Sequence, residues 1–301
     1  MFSLLLIQLA LLLGAPLLFL GVVNRTKALW AGRTGASVLQ PYYDVRKLWR
    51  KDCVFSTTTT WIFRAAPLVS VAAIFTAALF VPLGSAGAPL RFTGDFLAFA
   101  YLLGLARFFT TSAALDTGSS FEGMGAAREV SFAALTEPAL FFGFLVLAKM
   151  TGSLELAGML APGPQAVELA APRVLVSAAL FVVLLAEGCR IPVDDPNTHL
   201  ELTMIHEVMV LDHSGPLLGW IHYGAALKLF ALGALVVQVA VPVQTDFALA
   251  RLALFAAGML LLAILIGTVE SITARLRLTS VPGLLLGTTL LSAFAFILVI
   301  A

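Results

Sequence analysis

The densest group of titratable side chains lies between residues 187 and 222. Six acids, Glu187, Asp194, Asp195, Glu201, Glu207 and Asp212, fall before residue 213, with Arg190 the one basic residue among them. All four histidines, His199, His206, His213 and His222, occupy the same stretch. The first three are seven residues apart. That spacing puts them on similar faces of a helix but about 10 Å apart along it, too far for one metal ion to bridge. The chemistry that fits is proton transfer. Histidine titrates near neutrality, a half-buried carboxylate is raised toward it, and strings of Asp, Glu and His at a membrane form relays.

Two more charges sit where charge is expensive. Glu137 lies about two turns inside an apolar run and precedes Pro138, which frees a backbone carbonyl. It reads as a functional-site candidate, or as one half of an ion pair with an arginine such as Arg128. Lys228 lies about two turns inside another apolar run. A desolvated lysine sheds its proton or pairs with a buried acid, and Glu187 is one candidate partner. Cys53 and Cys189 are isolated and form no CxxC, so neither an iron–sulfur cluster nor a four-thiolate zinc site is expected.

The elements that must carry these residues follow from composition. Of 301 residues, 60% are apolar and 12% are charged, with a net charge of +1, and the mean hydropathy is +1.00. So few charges cannot cover a water-facing surface of this size, and no basic surface suggests nucleic acid. The expected fold is all-α and polytopic, a single membrane domain over 1–301. Eight spans are expected near 3–23, 65–83, 95–114, 131–150, 172–189, 222–243, 248–268 and 282–300. The first run has no charged n-region and no small-x-small site, so it reads as an anchor rather than a cleaved signal. Thirteen of the 18 Lys and Arg residues fall in or beside the odd loops. The positive-inside rule then puts the odd loops in the cytoplasm and both termini outside, in a bacterial or archaeal cytoplasmic (inner) membrane.

The even loops read as Gly- and Pro-rich turns, and no phosphate-binding loop, GxSxG or HExxH occurs. The first loop differs. Across 42–52, Val45, Leu48 and Trp49 can form one helical face and Arg46, Lys47, Arg50 and Lys51 the other. This reads as a basic interfacial helix on anionic headgroups, and equally as a docking surface for a soluble partner.

At four places the residues resemble one family, the membrane subunit shared by respiratory complex I (its subunit 1) and membrane-bound [NiFe] hydrogenases. Loop one has Arg33, Gly35, Leu39, Gln40 and Pro41, then Asp44, Lys47, Lys51 and Asp52. Loop three has Arg128 followed by Glu137. Loop five has Ala186, Glu187, Arg190, Pro192, Asp194, Pro196, Glu201 and Leu202, then Asp212, Ser214 and Gly215. Loop seven has Glu270 before ARLRL at 274–278. Asn197 and His199 stand where complex I members carry glutamates, and Lys228 stands where they have an acid early in span six. LDTGS at 115–119, GAARE at 125–129 and ARLRL look like the formate hydrogenlyase and hydrogenase-4 branch.

The resemblance implies a membrane foot without a redox centre of its own. Its partners would be a hydrogenase large subunit holding the [NiFe] centre, a small iron–sulfur subunit and antiporter-like membrane subunits. It implies a proton path of Glu137, Glu187, Asp194, Glu201, Asp212 and Lys228, with Arg128, Glu129 and Arg190 tuning its charge. Partner docking would fall to Arg33, Gln40, Asp44, Lys47, Lys51, Asp116, Arg275 and Arg277. The other readings are a complex I subunit framing a quinone site, which the missing loop-five glutamates weaken, and a purely structural membrane anchor. No internal repeat supports a free-standing transporter.

Overall fold

A computed structural model describes residues 2–84, 87–161, 170–195, 204–242 and 247–300, and every regular element in them is helical. The chain forms α1 (Phe2–Trp30), α2 (Gln40–Leu48), α3 (Trp61–Ala78), α4 (Asp95–Asp116), α5 (Ser120–Thr151), α6 (Leu156–Met159), α7 (Ala170–Glu187), a 3-10 turn (Glu207–Val210), α8 (Gly215–Ala240), α9 (Ala248–Ile272) and α10 (Val281–Ile300). Eight of these helices, all but α2 and α6, are long and apolar enough to cross a membrane, as expected. Glu201 and His199 lie outside the described residues.

The boundaries differ from the hydropathy pattern where a helix continues past its apolar stretch. α5 begins at Ser120 rather than near 131, so loop three shrinks to residues 117–119 and Arg128 and Glu129 become helical. α8 begins at Gly215 rather than near 222, with Pro216 in its first turn, where the missing N–H costs nothing. α3 starts at Trp61 because the Thr60 side chain caps it, accepting from the Ile62 N–H.

α8 is the most enclosed of the spans. It packs against α1, α3, α7 and α9, while α5 lies against α4, α7 and α10. Pro16 interrupts the α1 ladder and leaves the Leu12 carbonyl without its helical donor. The Tyr223 hydroxyl of α8 donates to it at 3.1 Å. α2 lies on α8, with Trp49 and Trp220 rings 5.0 Å apart.

The odd loops interlock at one end of the bundle. Asp116 accepts from the Thr60 N–H at 2.7 Å and from its hydroxyl, tying α4 to α3. Val54 N–H donates to Ser214 Oγ, joining loop one to loop five. Leu276 N–H donates to the Pro192 carbonyl at 3.0 Å, joining loop seven to loop five. At the other end, buried Asp95 accepts from the Leu156 N–H at 2.6 Å, and Gln8 Nε2 donates to the Val81 carbonyl.

Candidate functional site: a buried chain of charges

Arg107, nine residues before the end of α4, sits at the centre of the site. Its Nε lies 3.2 Å from Glu129 Oε1, its Nη1 2.5 Å from Glu137 Oε1, and its Nη2 bonds Glu187 Oε1. A guanidinium has five N–H donors in a planar fork, so one arginine can hold three carboxylates, each through a different nitrogen. Glu129 and Glu137 are eight residues apart on α5, about 12 Å of rise, and both side chains reach back to it. Glu187 closes α7 and carries a second cation: Lys228 Nζ of α8 is 2.6 Å from Glu187 Oε2. The partner offered to Lys228 by the sequence is therefore the one it meets.

The chain continues into loop five. His206 Nε2 lies 3.1 Å from Glu129 Oε2, and Asp194 Oδ2 lies 3.7 Å from His206 Nδ1. Asp194 accepts the His206 backbone N–H at 3.1 Å and meets Arg275 Nη2 at 3.1 Å. Backbone geometry delivers these groups. Cys189, in the left-handed region at φ 57, turns the chain at the end of α7. Arg190 N–H then donates to the Leu185 carbonyl, and Asp194 N–H to the Arg190 carbonyl.

Gly125 of α5 lets the segment 205–209 lie against the helix. A Cβ there would fall 2.3 Å from Val208 Cγ1 and 2.9 Å from the Ile205 carbonyl oxygen.

Charge bookkeeping along the chain is close to even. Lys228, Arg107 and Arg275 face Glu187, Glu129, Glu137 and Asp194, three cations against four carboxylates, and a protonated His206 would balance them. Burial opposes a charged His206. The Cys189 sulfur and the Glu129 and Asp194 carboxylates outweigh it and lift its pKa well above the ordinary imidazole value. Burial likewise pushes Asp194 up, but the His206 hydrogen bond and charge, with Arg275, hold its carboxyl below the usual range. Burial pushes the Cys189 thiol up, opposed by His206 and Lys228.

Two small cavities follow this chain. One of about 10 Å³ lies among Glu129, Glu187, Asp194 and His206, room for one water. Another of about 70 Å³ is lined by Tyr101, Gly104, Arg107, Glu137 and Glu187. Glu137 is 48% exposed there, on a face that also shows Tyr101 and Phe108.

A second cluster stands apart: fully buried Glu270 of α9 meets Lys27 Nζ of α1 at 2.6 Å and Arg190 Nη1 at 3.4 Å.

The remaining predicted residues lie elsewhere. Arg128 donates to the Met204 carbonyl at 2.8 Å and helps hold loop five, while Glu137 pairs with Arg107 rather than with Arg128. Arg190 faces Glu270. Asp212 is exposed, and its N–H donates to Glu122 Oε1. Gln40 Nε2 donates to Asp44 Oδ1 within α2. Arg33, Asp44, Lys47, Lys51 and Arg277 are exposed, whereas Asp116 and Arg275 are engaged within the chain. Sequence reasoning missed Arg107 and Glu270 as members of the buried clusters, and it placed His206 only within the string of loop-five acids and histidines. The signal for Arg107 was its position inside the apolar run 95–114, where a cation demands partners.

Eight spanning helices around a bonded chain of ionisable groups define a polytopic membrane protein built to hold charge within its bundle. The chain belongs to the NADH dehydrogenase family, whose model it matches over residues 2–301. It is 32% identical to formate hydrogenlyase subunit 4 of Escherichia coli (strain K12) over 285 residues, 89% of this chain and 88% of that protein. It is also 32% identical to hydrogenase-4 component C of the same organism over 241 residues, 78% of this chain and 74% of that one. Its fold matches a chain of the membrane-bound sulfane sulfur reductase, an archaeal respiratory membrane complex, with a TM-score of 0.84 at 22% identity, covering 98% and 97% of the two chains. The family and branch read from the loops are thus borne out.

Proposed function

We propose that this chain is the membrane-anchoring and ion-coupling subunit of a membrane-bound [NiFe] hydrogenase of the formate hydrogenlyase and hydrogenase-4 type. The identity to those two subunits supports the branch. One observation carries the coupling role: an unbroken run of ionisable contacts from Asp194 in loop five through His206, Glu129 and Arg107 to Glu137 on the bundle's side. In this reading the odd loops face the cytoplasm, both termini lie on the opposite face, and the whole chain acts as one membrane domain in the cytoplasmic membrane. A soluble arm, with a hydrogenase large subunit and a small iron–sulfur subunit, docks on the basic surface of α2 and loop seven. Its [NiFe] centre and clusters supply the redox chemistry. Charge shifts in that arm are felt first at Asp194, and the carboxylates answer by taking or releasing protons toward antiporter-like subunits beside Glu137.

A structural anchor is the second reading, favoured by how fully Arg107 is bonded. Removing one partner of a buried ion pair costs about 3–5 kcal/mol whatever its role. Glu-to-Gln variants separate the two on a blue-native gel: a coupling role leaves the complex intact, and an anchoring role depletes it. Affinity purification of the tagged chain in mild detergent tests the assignment itself. It is expected to bring a nickel-containing large subunit and an iron–sulfur subunit. A complex holding a quinone reductase arm without nickel would contradict it.

A further inference from the structure

Among the described residues, His206 is the one group that touches both a loop-five carboxylate and a carboxylate of a spanning helix. Its Nε2 is within hydrogen-bond distance of Glu129, at 3.1 Å. Its Nδ1 stands 3.7 Å from Asp194 Oδ2, beyond a direct hydrogen bond. The Asp194 carboxylate is instead bonded to the His206 backbone N–H, so the ring is held beside it without being locked to it. The cavity of about 10 Å³ opens between these groups, and the His206 side chain is 24% exposed while those of Glu129 and Asp194 are 9% and 2% exposed. The imidazole therefore meets solvent where the carboxylates do not. The groups around it are Cys189 at the end of α7, Glu129 on α5, Glu187 on α7, Asp194 in loop five, Lys228 on α8, and Arg275 and Arg107 behind the two carboxylates.

We propose that His206 is the proton gate between loop five and the membrane-embedded carboxylates. This rests on the coupling role proposed above. In the transfer step His206 starts as the imidazolium. Its Nε2 proton passes to Glu129, leaving the neutral Nδ1–H tautomer. A ring flip turns that N–H toward Glu129 and presents the bare nitrogen to loop five, where it takes one proton from solvent directly or through the one water the cavity holds. The imidazolium is restored, one proton has entered and one has left, and no electron moves. The step requires a ring free to turn, which a direct hydrogen bond from Nδ1 to Asp194 would hinder.

The test uses the complete complex in inverted membrane vesicles, with turnover and proton movement followed together. His206→Ala is expected to assemble and to lose proton movement at least tenfold, and added imidazole is expected to restore it in proportion to concentration. His206→Gln, which keeps an N–H toward Glu129, is expected to assemble and stay inactive in proton movement. Wild-type proton movement in either variant overturns the gate, as does a loss in assembled His206→Ala that imidazole leaves unchanged. If neither variant assembles, the role is structural and the proposal fails. Glu187→Gln separates the levels: if it moves protons normally, the coupling reading itself falls. If it is blocked while the His206 variants are not, only the gate falls.

Discussion

His213 and His206 lie seven residues apart in one loop and face opposite demands. His213 is buried against Phe63, with ring centroids 3.9 Å apart, and its Nε2 stands 3.4 Å from the Phe63 carbonyl. Burial, opposed in part by that carbonyl and by Asp212, lowers its pKa from 6.5 to about 4. The unfolded chain therefore binds more protons than the folded one between these values. Stability is full above pH 6.5 and falls as pH drops toward 4, by on the order of 3 kcal/mol if nothing else titrates. His206 has the reverse sign: its contribution is full below pH 6.5 and is lost as pH rises through its raised folded value. Thermal unfolding of the detergent-purified protein between pH 4 and 6.5 checks the first claim. His213→Phe is expected to flatten the acid slope, and an unchanged slope would contradict it. At this scale the sequence disclosed types better than partners. Lys228 and Glu187 were legible as a pair because both lie inside apolar runs. Arg107 was not, because an arginine seven residues from the end of the expected span 95–114 looks like part of the basic flank of a loop, and only the crossing of α4, α5 and α7 turns it inward.

At the scale of elements, hydropathy finds the spans because lipid demands both apolar side chains and a closed backbone ladder. It fails at their ends, where a helix needs only the ladder. α5 shows this: Ser120–Val130 holds Glu122, Arg128 and Glu129 among glycines and alanines, too polar for a span and regular enough to continue the helix. The extension matters, since it puts Glu129 on a rigid element one side of which faces loop five. Gly125 sets how close that loop comes. Gly125→Val would drive side-chain atoms into Val208 and the Ile205 carbonyl, at an overpacking cost of about 1–3 kcal/mol. Because segment 205–209 must move away, the Glu129–His206 contact is expected to open. Limited proteolysis in loop five should quicken severalfold while the rest of the bundle stays protected. A cleavage pattern like that of the wild type would show that the glycine does not set the approach.

At the scale of the molecule, few charges are present and their placement is one-sided. Thirteen of 18 basic residues mark one set of loops, and those same loops interlock through Asp116, Ser214, Pro192 and Asp194. From that end the ionisable chain runs inward with nearly balanced charge and emerges at Glu137 on an apolar face. Balance keeps such a chain tolerable in the bundle, and a single proton added at one point biases the rest. If the ionisable chain moves protons rather than only bracing helices, Glu187 is its junction, bonded to both Arg107 and Lys228. Glu187→Gln preserves volume and an acceptor for Arg107 while removing the titratable group. The deciding measurement is proton movement per turnover in vesicles carrying the assembled Glu187→Gln complex. Intact assembly is expected, with proton movement reduced about tenfold or more, the effect of roughly 1.4 kcal/mol on a rate. An assembled Glu187→Gln complex with wild-type proton movement would contradict it.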